Sequence, residues 1–205
     1  MPSEHELVKQ FNISRMTANR VLSQLATDGV VTRVAGVGTF VAEPRIHSHP
    51  LQIRNIADEI HARGHTHECR VLTLTTVSAT DELAERCAVP IGAKLDHSLL
   101  IHLENGAPLQ LEDRYVNPKL IRNYLSNDFT KVTPHEVLIR AAPIQRAEHT
   151  VRAIYPDAAL RKLLALKKND ACLLVRRRTW SEQRIVSAAD LYYPGSRYEL
   201  TGQFK

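Results

Sequence analysis

Residues 3–41 read SEHELVKQFNISRMTANRVLSQLATDGVVTRVAGVGTFV, and this stretch decides the N-terminal fold. Ser3 stands three positions before Glu6, the spacing of a capping box, and Glu4 and Glu6 suit the positive end of a helix dipole. A helix is expected over residues 4–10, with Leu7, Val8 and Phe11 as its apolar side. Asn12-Ile13-Ser14 then makes a tight turn, and Ser14 can cap a second helix running to about Thr27. Ala18, Val21, Leu22, Leu25 and Ala26 recur at helical spacing, and Gly29 is placed to end that helix. Two β-rich runs, residues 30–34 and 39–41, flank a segment holding Gly36 and Gly38, which reads as a hairpin.

Helix, short turn, longer helix and hairpin is the order of a winged helix-turn-helix, whose second helix enters the major groove by its N-terminal end. Here that end offers Ser14, Arg15, Thr17, Asn19 and Arg20, with no acid before Asp28. Arg pairs bidentately with guanine, Asn with adenine, and hydroxyls hold phosphates. An ordinary solvated helix face is the alternative reading. The turn before it and the glycine hairpin after it favour DNA.

Beyond residue 42 the pattern changes. Residues 43–50 are polar and proline-bounded, and read as a linker. Residues 53–63 form an amphipathic helix closed by Gly64. Strand-like runs follow at 69–78, 95–103, 109–116, 146–155, 172–180 and 184–193, with helices at 79–87, 118–125, 134–140 and 156–166. Glu104-Asn105-Gly106 is a hairpin turn between two of the strands. Strands that do not alternate regularly with helices predict an α+β fold with a largely antiparallel sheet, and no internal repeat is evident.

The whole chain has 205 residues and a net charge of +5, enough for one medium domain or two small ones. Residues 1–50 carry five Lys or Arg against four acids, so local patterning rather than bulk charge points to the N-terminus. Cys69, Cys87 and Cys172 are too few and too widely spaced for a disulfide framework or a zinc ribbon, so reduced thiols are expected. No apolar run has membrane-spanning length and no secretory signal opens the sequence, so a cytoplasmic protein without membrane attachment is expected.

Pro2-Ser3-Glu4-x-Glu6-Leu7, Ser14-Arg15-Met16-Thr17 and Gly36-Val37-Gly38-Thr39-Phe40-Val41 together resemble the GntR family of bacterial transcription regulators. The remainder is similar to the effector-binding (UTRA) domain of the HutC subfamily. The stretches that carry this likeness are Leu111 to Pro118, Ala147-Glu148-His149, Arg177-Arg178-Thr179-Trp180 and Tyr193 to Tyr198. The resemblance implies a winged domain over residues 1–44, a linker at 45–50 and a UTRA domain, of chorismate-lyase-like fold, over 51–205. Ser14, Arg15, Thr17, Asn19 and Arg20 would face DNA, and Arg33 with Gly36 and Gly38 would place the wing. It further implies a homodimeric repressor of histidine-degradation genes on a pseudo-palindromic operator, released by urocanate and needing no cofactor. Members of that family carry another helix before the Pro-Ser-Glu motif. Met1 stands directly before Pro2, so this chain is expected to lack it.

Urocanate joins a planar imidazole to an acrylate carboxylate, so its pocket needs a cation, polar partners for the ring nitrogens and a flat slot. Strand parity puts Gln110, Glu112 and Arg114 on one face, and Arg176, Arg178 and Trp180 on one face of their own strand. The candidates are Arg114 or Arg178 for the carboxylate, Glu112 or Glu148 for the ring N–H, and His102, Ser187 and Tyr192 as walls. A different small acid or a sugar phosphate is the competing effector, although Leu100 and His102 stand where sugar-phosphate sensors place arginines. His61, His65, His67 and Cys69 have ligand-type atoms but straddle a helix end and a strand, so no metal is expected. No nucleophile motif, metalloprotease motif or P-loop is present, and an enzyme of the chorismate-lyase fold is the weakest alternative.

Overall fold

A computed structural model describes residues 4–27, 31–34, 38–41 and 55–200. The chain divides into two units near residue 50. In the first, α1 (Glu4–Phe11) and α2 (Arg15–Thr27) are followed by β1 (Val31–Val34) and β2 (Gly38–Val41), which pair antiparallel. Asn12 takes the left-handed conformation at the α1–α2 turn, with φ of 50°. Ser14 caps α2: the Thr17 amide donates to Ser14 Oγ at 3.1 Å, and the Ala18 amide to the Ser14 carbonyl at 3.0 Å. Ala18, Leu22 and Val31 form the buried centre of this unit, whereas Val21 and Phe11, expected on the apolar faces, stand exposed. Ser3, Gly29, Gly36 and the linker at 45–50 lie outside the described residues.

The second unit, Leu51–Thr201, runs α3 (Ile56–Ala62), β3 (His67–Ser78), α4 (Asp81–Cys87), β4 (Lys94–Glu104), β5 (Ala107–Val116), a one-turn 3-10 helix (Tyr124–Ser126), α5 (Pro134–Ala141), β6 (Arg146–Ile154), α6 (Ala158–Leu163), β7 (Cys172–Ser181) and β8 (Arg184–Pro194). The six strands make one antiparallel sheet in the order β3-β4-β5-β8-β7-β6. The helix expected over 118–125 is instead a run of turns ending in the 3-10 helix. The Asn117 side chain accepts the Lys119 amide, and Asn123 adopts a left-handed φ of 57°, which interrupts helical winding. The helix expected from 156 starts later, because Asp157 is its cap: its Oδ1 accepts the Leu160 amide at 2.7 Å.

An internal repeat, not evident in the sequence, is present in the fold. Each half has the order helix, strand, helix, strand, strand, and a shift of 77 positions carries one half onto the other. Thr80 and Asp157 cap equivalent helices, Ala88 and Ala165 are left-handed after them, and Asn105 and Glu182 are left-handed at equivalent hairpin turns. The two halves join along β5 and β8, where Asp113 pairs directly with Asp190. That pair is its own counterpart under the shift, so a local two-fold axis passes between the two carboxylates.

Like charges directly opposite on a sheet repel. Here neighbouring side chains offset the repulsion. His97 Nε2 lies 2.8 Å from Asp113 Oδ1, and Arg86 donates to both oxygens of Asp190 at 2.6 and 3.3 Å. Arg176 Nε brings a second guanidinium to within 3.5 Å of Asp190. One sheet face is covered by α3, α5 and the turns, through Ile56, Ile60, Tyr124, Phe129 and Leu138. The other is covered by α4 and α6, through Ala84, Cys87 and Leu164. No described helix is long and apolar enough to cross a membrane.

Removing the cation from the axis tests this account. Arg86→Ala should lower the unfolding free energy by roughly 2–4 kcal/mol in urea titrations, because a buried carboxylate loses its bidentate partner. Glu82→Ala, which removes an exposed carboxylate 3.7 Å from the same arginine, should change it by less than about 1 kcal/mol.

Candidate functional site

On α2 the side chains of Arg15, Met16, Thr17, Asn19 and Arg20 are exposed, Met16 at 83%. Ser14 and Thr17 also bond each other, Oγ to Oγ1 at 2.9 Å, so both take part in the cap as well as presenting hydroxyls. Arg33 pairs through its backbone with Thr39, and Gly38 with Val34. The Arg33 side chain and the whole of Gly36 lie outside the described residues.

In the second unit, an open cleft of about 540 Å³ is lined by Arg114, His135, Leu138, Ile139, Ile144, Arg177 and Thr179. It lies on the sheet face that α5 covers. Arg114 is 2% exposed, and it donates from Nε to Glu112 Oε1 at 2.6 Å and from Nη1 to Ser187 Oγ at 2.9 Å. Burial pushes the Glu112 carboxyl up, but the Arg114 guanidinium and His102 together outweigh it and hold the group well below the carboxylate range. Burial likewise pulls Arg114 down, and Glu112 more than offsets it.

Arg177 is different. Its Nε donates to His149 Nε2 at 2.7 Å, and among the described residues no carboxylate lies within ion-pair distance of its guanidinium. Burial lowers its pKa, and the neighbouring Arg114 charge pushes the same way. His135, on the cleft wall, is also lowered, first by burial and then by Arg114 and Arg177. Both shifts are led by burial, and neighbouring guanidinium charge adds to each. A planar anion entering this cleft would meet two guanidinium groups, one of them without a carboxylate, beside the apolar side chains of Leu138, Ile139 and Ile144.

The seven residues picked from sequence divide between two faces. His102, Glu112, Arg114 and Ser187 share the cleft face and are all buried. Glu148, Arg178 and Tyr192 project from the opposite face, so one pocket cannot hold all seven. Arg178 is spent on an ion pair with Glu148 at 2.6 Å and sits 5.3 Å from the Trp180 ring. Arg177, one residue earlier, is the β7 arginine that shares the face of Arg114. Sequence reading missed Arg177, His135 and Thr179. Both faces of β7 are apolar at the Leu173–Val175 end, so strand parity did not say which arginine joins the face of Arg114.

Beneath the cleft a row of histidines continues from Glu112. His102 Nε2 lies 3.5 Å from Glu112 Oε2, too long for a strong hydrogen bond, and His102 Nδ1 is 3.0 Å from His67 Nε2. His61 packs edge-on against His67 with ring centres 6.2 Å apart. Among the described residues no group of three or more His, Cys, Asp or Glu side chains is arranged to hold a metal. His65 is taken up by Glu104 at 2.8 Å. The three thiols are free, and burial pushes Cys69 up to about 12 and Cys87 and Cys172 up to about 11, which leaves them protonated and inert.

The model for bacterial regulatory proteins of the gntR family matches residues 1–41, and the UTRA domain model matches residues 62–199. The histidine utilization repressor of Pseudomonas aeruginosa is 50% identical over 204 residues, which is 100% of this chain and 82% of that protein. The protein of the same name from Klebsiella aerogenes is 48% identical, covering 100% of this chain and 85% of its own. The solved C-terminal domain of the histidine utilization repressor from Pseudomonas syringae pv. tomato superposes with a TM-score of 0.65 at 43% identity, covering 68% of this chain and 99% of that one. A winged helix-turn-helix followed by a UTRA domain defines a bacterial transcription regulator, and the relatives are repressors rather than enzymes. The chain belongs to the GntR family and, within it, to the HutC subfamily.

The histidine row predicts a pH dependence. Burial, then the neighbouring His102 and His61, lowers the His67 pKa from 6.5 to about 4, against an opposing pull from Glu136. As pH falls through 6.5 the unfolded chain therefore takes up a proton that the folded chain refuses, and stability declines steadily until about pH 4. Urea midpoints measured between pH 7.5 and 5 should fall, and His67→Gln should make the slope shallower.

Proposed function

We propose that this chain is a homodimeric repressor of histidine-utilisation genes, acting in the cytoplasm on a pseudo-palindromic operator and released by urocanate. Arg177 carries the reading of the effector: a half-buried cation without a carboxylate, beside Arg114, in a cleft whose other walls are apolar. The urocanate carboxylate would lie on Arg177 and Arg114, with its flat body against Leu138 and Ile144 and a ring nitrogen toward His135 or Thr179. The names of the relatives support the gene set. The exposed Arg15, Asn19 and Arg20 on α2 support the operator contact.

Release is a linked equilibrium. If urocanate favours an arrangement of the two reading heads that fits the operator poorly, it weakens DNA binding, and DNA weakens urocanate binding by the same factor. A two-fold dimer matches two half-sites one or more helical turns apart. A phosphate-bearing effector is the second reading, since two guanidinium groups also suit phosphate.

Thermal unfolding with and without ligand tests the effector. Urocanate at 100 times its dissociation constant should stabilise the chain by roughly 2.7 kcal/mol, whereas histidine and glucosamine-6-phosphate should not. Arg177→Ala should abolish that shift while the protein still folds, and Arg178→Ala should retain it. A shift with glucosamine-6-phosphate alone would transfer the cleft to the phosphate reading. On DNA, Arg15→Ala should cost about 1–3 kcal/mol on the specific site and little on random sequence. Equal losses on both would remove Arg15 from base reading.

A further inference from the structure

Strands β6 and β7 set side chains directly opposite one another: Glu148 faces Arg178, His149 faces Arg177 and Thr150 faces Arg176. Opposed residues at this spacing touch, so β6 helps to fix the charge balance of each arginine. On the face away from the cleft the partner is a carboxylate. Glu148 Oε1 accepts from Nε and Nη2 of Arg178, at 3.2 and 2.6 Å, and offsets its charge. Arg176, on that same face, has Asp190 at 3.5 Å and Glu82 at 3.7 Å. On the cleft face the partner is an imidazole, and Arg177 Nε donates to His149 Nε2 at 2.7 Å. Of these three consecutive arginines, only the one that lines the cleft has no carboxylate within ion-pair distance among the described residues.

The direction of that bond fixes the state of the imidazole. A guanidinium has five N–H donors and no acceptor, so His149 Nε2 is the nitrogen without a proton, and the ring is neutral with its proton on Nδ1. A neutral acceptor aims a guanidinium without cancelling its charge. The bond also occupies Nε alone, and among the described residues Nη1 and Nη2 of Arg177 make no hydrogen bond, so the fork that suits a carboxylate or phosphate is open. Register places the whole set on one rung of the sheet: Arg114 on β5, Ala189 on β8, Arg177 on β7 and His149 on β6. Glu112 and Ser187 hold the arginine at one end of that rung, and His149 holds the other.

We propose that His149 is a positioning residue of the cleft, which holds Arg177 from the edge strand and leaves its charge for an organic anion. This deepens the effector reading above and rests on it. A carboxylate at position 149 would repeat, on the cleft face, the pair that Glu148 makes with Arg178 one position away, and would close the cleft to anions.

Calorimetric titration of the full chain with urocanate tests the role, with melting of each unliganded variant as the check on folding. His149→Gln keeps a neutral acceptor of similar reach and should bind within about threefold of wild type, whereas His149→Ala should bind roughly fivefold more weakly and His149→Glu at least about tenfold more weakly. A merely structural residue would instead rank the variants by their melting temperatures. Should His149→Glu not fold, the contrast between Gln and Ala still decides. If glucosamine-6-phosphate is the ligand that binds, the same variants are titrated with it. A wild-type chain that binds neither compound would overturn the effector reading and this one with it. Binding that is lost in Arg177→Ala but intact in His149→Glu would keep the cleft and overturn the role of His149, as would a His149→Gln variant that binds no better than His149→Ala.

Discussion

Everything in the C-terminal unit depends on the seam between β5 and β8. It is the one place where the two repeated halves share strand hydrogen bonds, and at its centre two carboxylates are forced opposite each other. The register cannot slip by one residue to separate them without turning Glu112, Arg114 and Ser187 out of the buried face. The repulsion is instead absorbed by side chains from elements on both sides: the His97 imidazole from β4 and the Arg86 and Arg176 guanidinium groups from α4 and β7. Helix α4 is thereby pinned to the seam by charge as well as by the apolar contacts of Ala84 and Cys87.

The same seam assembles the cleft. Arg114 comes from the first half and Arg177 from the second, and each is held differently. Arg114 is locked into a fully buried pair with Glu112 and a hydrogen bond to Ser187, so it is fixed before any ligand arrives. Arg177 donates to His149 and has no carboxylate partner among the described residues. At the position equivalent to the cleft, the first half carries His61, His67 and His102 instead, packed against one another. One scaffold therefore serves two unlike environments, one lined by guanidinium groups and one by packed imidazoles.

Much of this was legible in the sequence, and the failures have physical causes. The strands of the C-terminal unit were legible to within two residues of their ends, because β-branched and apolar runs were separated by strong turn signals such as Asn105-Gly106. The segment 118–125 misled because its Leu120, Ile121 and Leu125 mimic helical spacing, while the Asn117 side chain and the left-handed Asn123 direct the backbone into turns. The repeat escaped notice because equivalent positions share backbone conformation and not side chains: Ala88 and Ala165 match, but Asn105 faces Glu182 and His102 faces Thr179. Site residues were half legible. Parity within β5 grouped Glu112 and Arg114 correctly, but which face of β7 met them depends on register across β8, which no local pattern encodes.

The topology also sets an order of events in folding. Every strand pair except β5–β8 joins neighbours in sequence, so each half can form from short-range contacts with small loop-closure cost. The seam joins segments about 77 positions apart and carries the largest loop-closure cost of the strand pairs. Since the cleft takes one arginine from each half, it does not exist in either half alone. A ligand bound there would clasp the two halves together across the strand pairing of greatest sequence separation in the sheet.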